Sequence, residues 1–129
     1  MGAGNRAAAE VQASKGKAMK LRRGEIWLVD LEPIRRGELG KTRPCLIVSD
    51  NEYNDSTSVP LVMPITSYGP TARSPGIFMT RRTGLSKDSS VLPLHIRAVA
   101  KSRFVHRIGH APEAVIERAV DILVLVVQT

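Results

Sequence analysis

Prolines and glycines cut this chain into apolar runs too short for most helices, and that punctuation constrains the fold more than any other feature. The runs span residues 26–29, 45–48, 59–66, 76–80 and 91–99, each of strand length and each bounded by turn-forming residues. Between the first two, residues 32–42 carry Pro33, Gly37 and Gly40 among charges, which predicts a long loop rather than a hairpin turn. Pro44 holds the preceding Arg43 extended and opens the second strand, which should end near Ser49. Asp50 is placed to cap a short helical turn through Asn54. Pro60 and Pro64 predict an edge position or bulges for the third strand. Residues 67–75 read as a loop and 84–90 as a turn.

A helical period runs only through the C-terminal segment. Pro112 suits a first turn, and Val115, Ile116, Ala119, Leu123 and Val126 fall near one face. Residues 123–127 are β-branched enough to compete as a strand. The expectation is a mainly β chain of α+β type, a small β-barrel with a C-terminal α-helix on its side. Its Val- and Leu-rich terminus would leave apolar surface for a second copy, which predicts a homodimer.

At 129 residues the chain has room for one domain with a real core. Residues 1–18, rich in Ala, Gly, Ser and Lys, predict a disordered N-terminal extension ahead of a domain over 19–129. The lone Cys45 cannot pair within the chain, and no apolar stretch has signal-peptide or membrane-span length. The expected location is the cytoplasm. Of the formal +7 charge, residues 1–23 hold six bases against Glu10, a net +5, which leaves +2 for the rest. Within that rest, twelve bases face five acids from Arg35 to His110. This allows a local basic surface, with scattered solvated Arg and Lys as the ordinary alternative.

No phosphate-cradling glycine loop and no dinucleotide fingerprint is present. His106 and His110 have the spacing of helical zinc ligands, but Gly109 interrupts them and no acid or thiol follows at ligand distance. Cys45 sits in an apolar run, where a small buried hydrophobe is expected rather than a nucleophile. No metal and no cofactor is expected.

More pointed are three blocks: Gly24-Glu25-Ile26-Trp27-Leu28-Val29-Asp30-Leu31-Glu32-Pro33, then Arg43-Pro44-Cys45-Leu46-Ile47-Val48-Ser49, then Pro64-Ile65-Thr66-Ser67. Gly84-Leu85-Ser86-Lys87-Asp88-Ser89, Ile96-Arg97, Lys101-Ser102-Arg103 and Ile108-Gly109-His110 follow in order. Taken together they resemble the MazF/PemK family of toxin endoribonucleases, over roughly residues 22 to 127. The resemblance implies an SH3-like barrel, usually a homodimer, that cleaves single-stranded RNA at short sequences to leave a cyclic phosphate and a 5′-hydroxyl. It also implies a partner antitoxin whose acidic, extended segment covers the RNA groove. The family's catalytic Arg and Thr fall on Arg43 and Thr66.

Those residue types suit that chemistry. When a ribose 2′-hydroxyl attacks its own phosphate, charge gathers on the phosphoryl oxygens, and a guanidinium can donate two hydrogen bonds to them. The Thr66 hydroxyl can donate another. Because the nucleophile belongs to the substrate, no metal is required. Arginine makes a poor base, so a separate proton acceptor is needed. Glu38, at a family acidic position, is one candidate, with a solvated loop acid as the alternative. His95 is another, since an imidazole suits acid–base work near neutral pH. The family usually carries Gln there, as a base-contacting side chain.

Asn54, Ser67 and Ser89 align with positions expected near the groove, where short polar groups can read nucleotide edges; each also suits a turn or cap. Lys41, Arg97 and Lys101 are candidate phosphate contacts, and Trp27 suits the core better than a base stack. Two other functions compete with the nuclease: a non-enzymatic toxin of the same barrel that poisons a protein such as DNA gyrase, and a plain RNA-binding barrel.

Overall fold

The computed structural model describes residues 19–31, 41–67, 76–79 and 83–128. Among the described residues seven strands form one antiparallel sheet: β1 (Glu25–Asp30), β2 (Thr42–Ile47), β3 (Leu61–Thr66), β4 (Ile77–Met79), β5 (Ser89–Val91), β6 (Arg97–Ala98) and β7 (Phe104–His110). A short helix, α1 (Asn51–Ser56), follows β2, and a longer one, α2 (Glu113–Val127), ends the chain. The strand order is β4-β5-β3-β2-β1-β7, with β6 also paired to β3. None of the helices among the described residues is long and apolar enough to cross a membrane.

Side chains alternate along β1, β2 and β3, and both faces of the sheet are buried. One face gathers Ile26, Leu46, Met63 and Ile65, and α2 covers it with Ile116 and Ala119. The other gathers Trp27, Val29, Cys45, Ile47 and Val62 around Val99 and Phe104. Trp27 and Phe104 meet edge to face, with ring centroids 5.9 Å apart and planes at 76°. The second core is enclosed because the chain leaves β6 beside β3, turns through a 3-10 segment (Lys101–Arg103) and rejoins the sheet beside β1. The mainly β fold with a C-terminal helix is therefore as expected. The sheet curls around its core without closing, since no ladder among the described residues joins β4 to β7.

Several local expectations need correction. Residues 91–99 do not form one strand: Pro93 opens a 3-10 turn (Pro93–His95) that separates β5 from β6. Pro64 lies in the middle of the sheet rather than at an edge. Its carbonyl accepts from Leu92 N at 3.0 Å, so its ring nitrogen faces the same side, in the gap between the β5 and β6 ladders where no N–H is called for. Last, β7 has no counterpart in the apolar pattern, because after Phe104 its residues are exposed or half-buried. Asp50 caps α1 as expected, accepting from Glu52 N at 2.9 Å. Pro112 stands at the N-cap of α2 rather than inside its first turn, and Val126 is exposed.

Two close contacts tie these layers together. Glu25 accepts from the Trp27 indole at 2.9 Å and from Arg22 N at 3.0 Å on one oxygen, and from Arg107 Nε at 3.0 Å on the other. The strand β1 is thereby joined to β7 by side chains as well as by its ladder. Elsewhere the Thr83–Gly84 backbone crosses Ile108–Gly109. A Cβ on Gly109 would lie 1.7 Å from the Thr83 carbonyl oxygen, and one on Gly84 would lie 2.5 Å from the Ile108 carbonyl oxygen. Gly84 also has a φ of +104°, which an L side chain rarely adopts.

Gly109→Ala should lower stability by about 1–3 kcal/mol, since backbone on both sides leaves nothing flexible to yield; denaturant unfolding followed by circular dichroism measures this. Burial pushes the Cys45 thiol up to about 12, against the opposing pull of Arg43 and Arg97. At pH 8 the thiol would therefore stay protonated. The native protein should therefore resist iodoacetamide at that pH and react once unfolded in guanidinium, as read by mass spectrometry.

Candidate active site

Arg43 is the second residue of β2 and Thr66 the last of β3. Cys45 pairs with Pro64, and the same antiparallel register carried two residues onward sets Arg43 across from Thr66. A two-residue step returns each side chain to the same face, and both line one open cavity of about 350 Å³. Ser67 and Ser89 line it too, so four of the residues singled out from sequence converge there. Pro44, Ile65 and Leu85 supply its apolar part. Thr66 and Ser89 are nearly buried, while Arg43 is half-buried at the rim.

The third wall comes from residues 85–89, which lie far from β2 and β3 in sequence. The Ser89 hydroxyl donates to the Lys87 carbonyl at 2.9 Å, tightening this turn. Leu85, Ser86 and Lys87 were visible in sequence only as members of a motif, without a role. The structure puts Lys87 in the lining of the cavity with Arg43, a second basic residue at the same space. Its signal in the sequence was the Gly84-to-Ser89 block, whose spacing marks a turn but not where the turn lands.

Other expected site residues lie elsewhere. Asn54 is 1% exposed: its amide donates to the Ser49 carbonyl at 2.9 Å and its carbonyl accepts from the Ser49 hydroxyl. The same hydroxyl accepts from Leu61 N at 3.0 Å. Asn54 is thus placed to anchor α1 to the sheet, its polar atoms spent inside the fold. His95 is half-buried in the 3-10 turn and does not line the cavity. Arg97 pairs opposite Val62 at the far end of β3. Both Arg43 and Arg97 lower the Cys45 pKa, so their positive fields overlap under the sheet although only Arg43 reaches the cavity. Lys41 is exposed, in a left-handed conformation with φ of +63°, and its carbonyl accepts from Leu31 N at 2.9 Å at the mouth of β2. Glu38 lies outside the described residues. His106 and His110 sit on β7, where four residues of strand span about 13 Å rather than one helical turn.

Chemically the cavity offers a guanidinium, an ammonium and several hydroxyls over a partly apolar floor. That set suits a phosphate group and can stabilise charge that develops on it. Among the described residues no three His, Cys, Asp or Glu converge to hold a metal ion.

Comparison with known proteins places this arrangement. The family model described as PemK-like, MazF-like toxin of type II toxin-antitoxin system matches residues 22–127. Endoribonuclease PemK of Escherichia coli is 35% identical over 101 residues, covering 74% of this chain and 73% of that protein. Endoribonuclease MazF9 of Mycobacterium tuberculosis is 33% identical over 100 residues, covering 73% and 85%. The crystal structure of MazF from Deinococcus radiodurans superposes with a TM-score of 0.76 at 23% identity, covering 86% of this chain and 99% of that one. A mycobacterial endoribonuclease solved in complex with its cognate antitoxin gives a TM-score of 0.63 at 20% identity, covering 82% and 91%. The family match over nearly all of the described fold, with relatives above 30% identity, establishes that this chain belongs to the PemK-like, MazF-like toxins of type II toxin–antitoxin systems.

Proposed function

We propose that the chain is the toxin of a type II toxin–antitoxin pair, a sequence-specific endoribonuclease that cuts single-stranded RNA, mRNA included, without a metal ion. Cleavage of messages would inhibit translation and growth. The observation that carries this reading is the convergence of Arg43 and Thr66 from neighbouring strands on one cavity. The named endoribonuclease activity of the relatives supports it, and nothing in them favours the poisoning of a protein such as DNA gyrase.

The reaction follows from those groups. The ribose 2′-oxygen forms a bond to phosphorus while the bond from phosphorus to the 5′-oxygen breaks, leaving a 2′,3′-cyclic phosphate and a 5′-hydroxyl. Arg43 donates hydrogen bonds to the phosphoryl oxygens as charge accumulates, and Thr66 adds one from its hydroxyl. The 2′-hydroxyl proton would pass to a base, for which Glu38 and His95 are the candidates, and the departing 5′-oxygen would take up a proton from water. Ser67 and Ser89, which line the same cavity, would contact the nucleotide at this phosphate. Lys41 and Arg97 would serve phosphates further along the strand, with His95 as a base-reading side chain.

Two partners complete the proposal. An acidic antitoxin segment would compete with RNA for the same cations, in line with the relatives solved with their cognate antitoxins. A second copy would cover the end of α2, where Val124, Leu125, Val126 and Val127 are 45%, 74%, 57% and 67% exposed. The pair would act in the cytoplasm, where its RNA substrate is.

Purified protein should cut single-stranded RNA in excess EDTA; RNA left intact there would remove the metal-free mechanism. Arg43→Ala, with folding retained, should lose about 10²–10³-fold in kcat, and Thr66→Val, which keeps the shape but not the hydroxyl, roughly tenfold. Leu125→Glu should shift a dimer toward monomer in sedimentation velocity, and an unchanged mass would place the dimer contact elsewhere.

A further inference from the structure

The reaction proposed above leaves one proton without a source in the protein. An alkoxide departs poorly from phosphorus, so the rate gains when a fixed acid protonates the 5′-oxygen as its bond breaks. Among the described residues that line the Arg43 cavity there is no carboxyl group and no imidazole. The charged side chains are those of Arg43 and Lys87, and the others are hydroxyls or apolar groups. A guanidinium effectively never deprotonates. A lysine ammonium can pass a proton to a departing alkoxide and regain it from water. By chemistry, Lys87 is the acid that this cavity holds.

Its place in the sheet agrees. Strand β3 lies between β2 and β5, with Ser90 of β5 the register partner of Thr66 on one side and Arg43 of β2 opposite it on the other. With strands about 4.8 Å apart, Arg43 and Ser90 stand roughly 10 Å from each other across Thr66. Lys87 shortly precedes Ser90, so its turn reaches the cavity from the β5 side while Arg43 reaches it from the β2 side. A phosphate seated over Thr66 then has one basic residue on each flank. In-line displacement sets the entering and departing oxygens on opposite sides of phosphorus, which calls for an acid on a wall of its own. The turn is fixed by the Ser89 hydroxyl, which donates to the Lys87 carbonyl at 2.9 Å, and by the Thr83–Gly84 backbone packed on β7 just upstream. The Lys87 side chain is exposed, and among the described residues no carboxylate pairs with its ammonium.

We infer that Lys87 is the general acid of the cleavage, in place of water. As the bond from phosphorus to the 5′-oxygen breaks, an Nζ–H bond of Lys87 breaks with it and the proton passes to that oxygen. The neutral amine left behind takes a proton from water before the next turnover, while the 2′-hydroxyl proton goes separately to the base. This role rests on the nuclease reading above.

Replacing the bridging 5′-oxygen at the mapped cut by sulfur tests it, because a thiolate leaves without being protonated. Lys87→Arg keeps a positive charge in the turn but not a proton that can be given up, and Lys87→Ala removes both. Each variant should lose about 10²-fold in kcat on all-oxygen RNA. Each should cut the sulfur-bridged RNA as fast as wild type does, which also shows that it is folded. Arg43→Ala should stay slow on both substrates, as a group that stabilises charge on the phosphoryl oxygens must. Equal losses of the Lys87 variants on the two substrates, or no loss on all-oxygen RNA, would overturn the assignment and leave the nuclease standing. If wild type cuts neither RNA, the nuclease reading falls and the role of Lys87 with it.

Discussion

The crossing of Thr83–Gly84 over Ile108–Gly109 is the contact on which the site depends. Two walls of the cavity are strands joined by a ladder, so their relation is secured by β2 and β3 themselves. The third wall, residues 85–89, reaches the cavity only through what holds the chain on either side of it. On one side β5 pairs with β3 and β4. On the other, the backbone lies against β7 at a separation that admits no Cβ at either glycine. A larger residue at 84 or 109 would lift Leu85, Ser86 and Lys87 away from Arg43. Stability and site geometry are thus coupled at a point that carries no chemistry.

Within the sheet, two prolines serve the same end by different means. Pro44 fixes Arg43 in extended geometry at the entrance of β2, and Pro64 sits where the ladder has a gap, two residues before Thr66. Cys45, opposite Pro64, occupies the buried position between them. Both prolines restrict the backbone on which the proposed catalytic side chains, Arg43 and Thr66, stand. Charge stabilisation of a transition state is effective to the extent that the donors are already aimed, and in the proposed mechanism this restriction is what the fold would contribute to catalysis.

Much of this was legible in the chain. The β1, β2 and β3 runs, the Asp50 cap and the C-terminal helix follow from local pattern, and their register brings Arg43 and Thr66 together. What escaped has physical causes. Strand β7 is an outer strand whose side chains after Phe104 are wet, so it carries no apolar alternation to read. Pro64 reads as an edge signal because sequence cannot reveal a gap between two partners on the same side of one strand. Asn54 looks like a groove residue because a short amide suits RNA and a buried cap equally well, and only its enclosure by Ser49 distinguishes them. Lys87 depends on where a turn lands, which is a tertiary fact.

A site of this kind places an unusual share of the work on the orientation of its substrate. The enzyme supplies cations and hydroxyls, but nucleophile, phosphorus and leaving group all belong to one RNA strand, and displacement requires the 2′-oxygen and the 5′-oxygen to lie on opposite sides of phosphorus. A flexible strand held only at its phosphate samples that alignment rarely. Fixing a base beside the cut restricts the sugar and with it the line of attack, so binding energy gained away from the reacting atoms appears in the rate. The Glu25–Arg107 pair ties β7 to β1 beside Trp27 of the inner core.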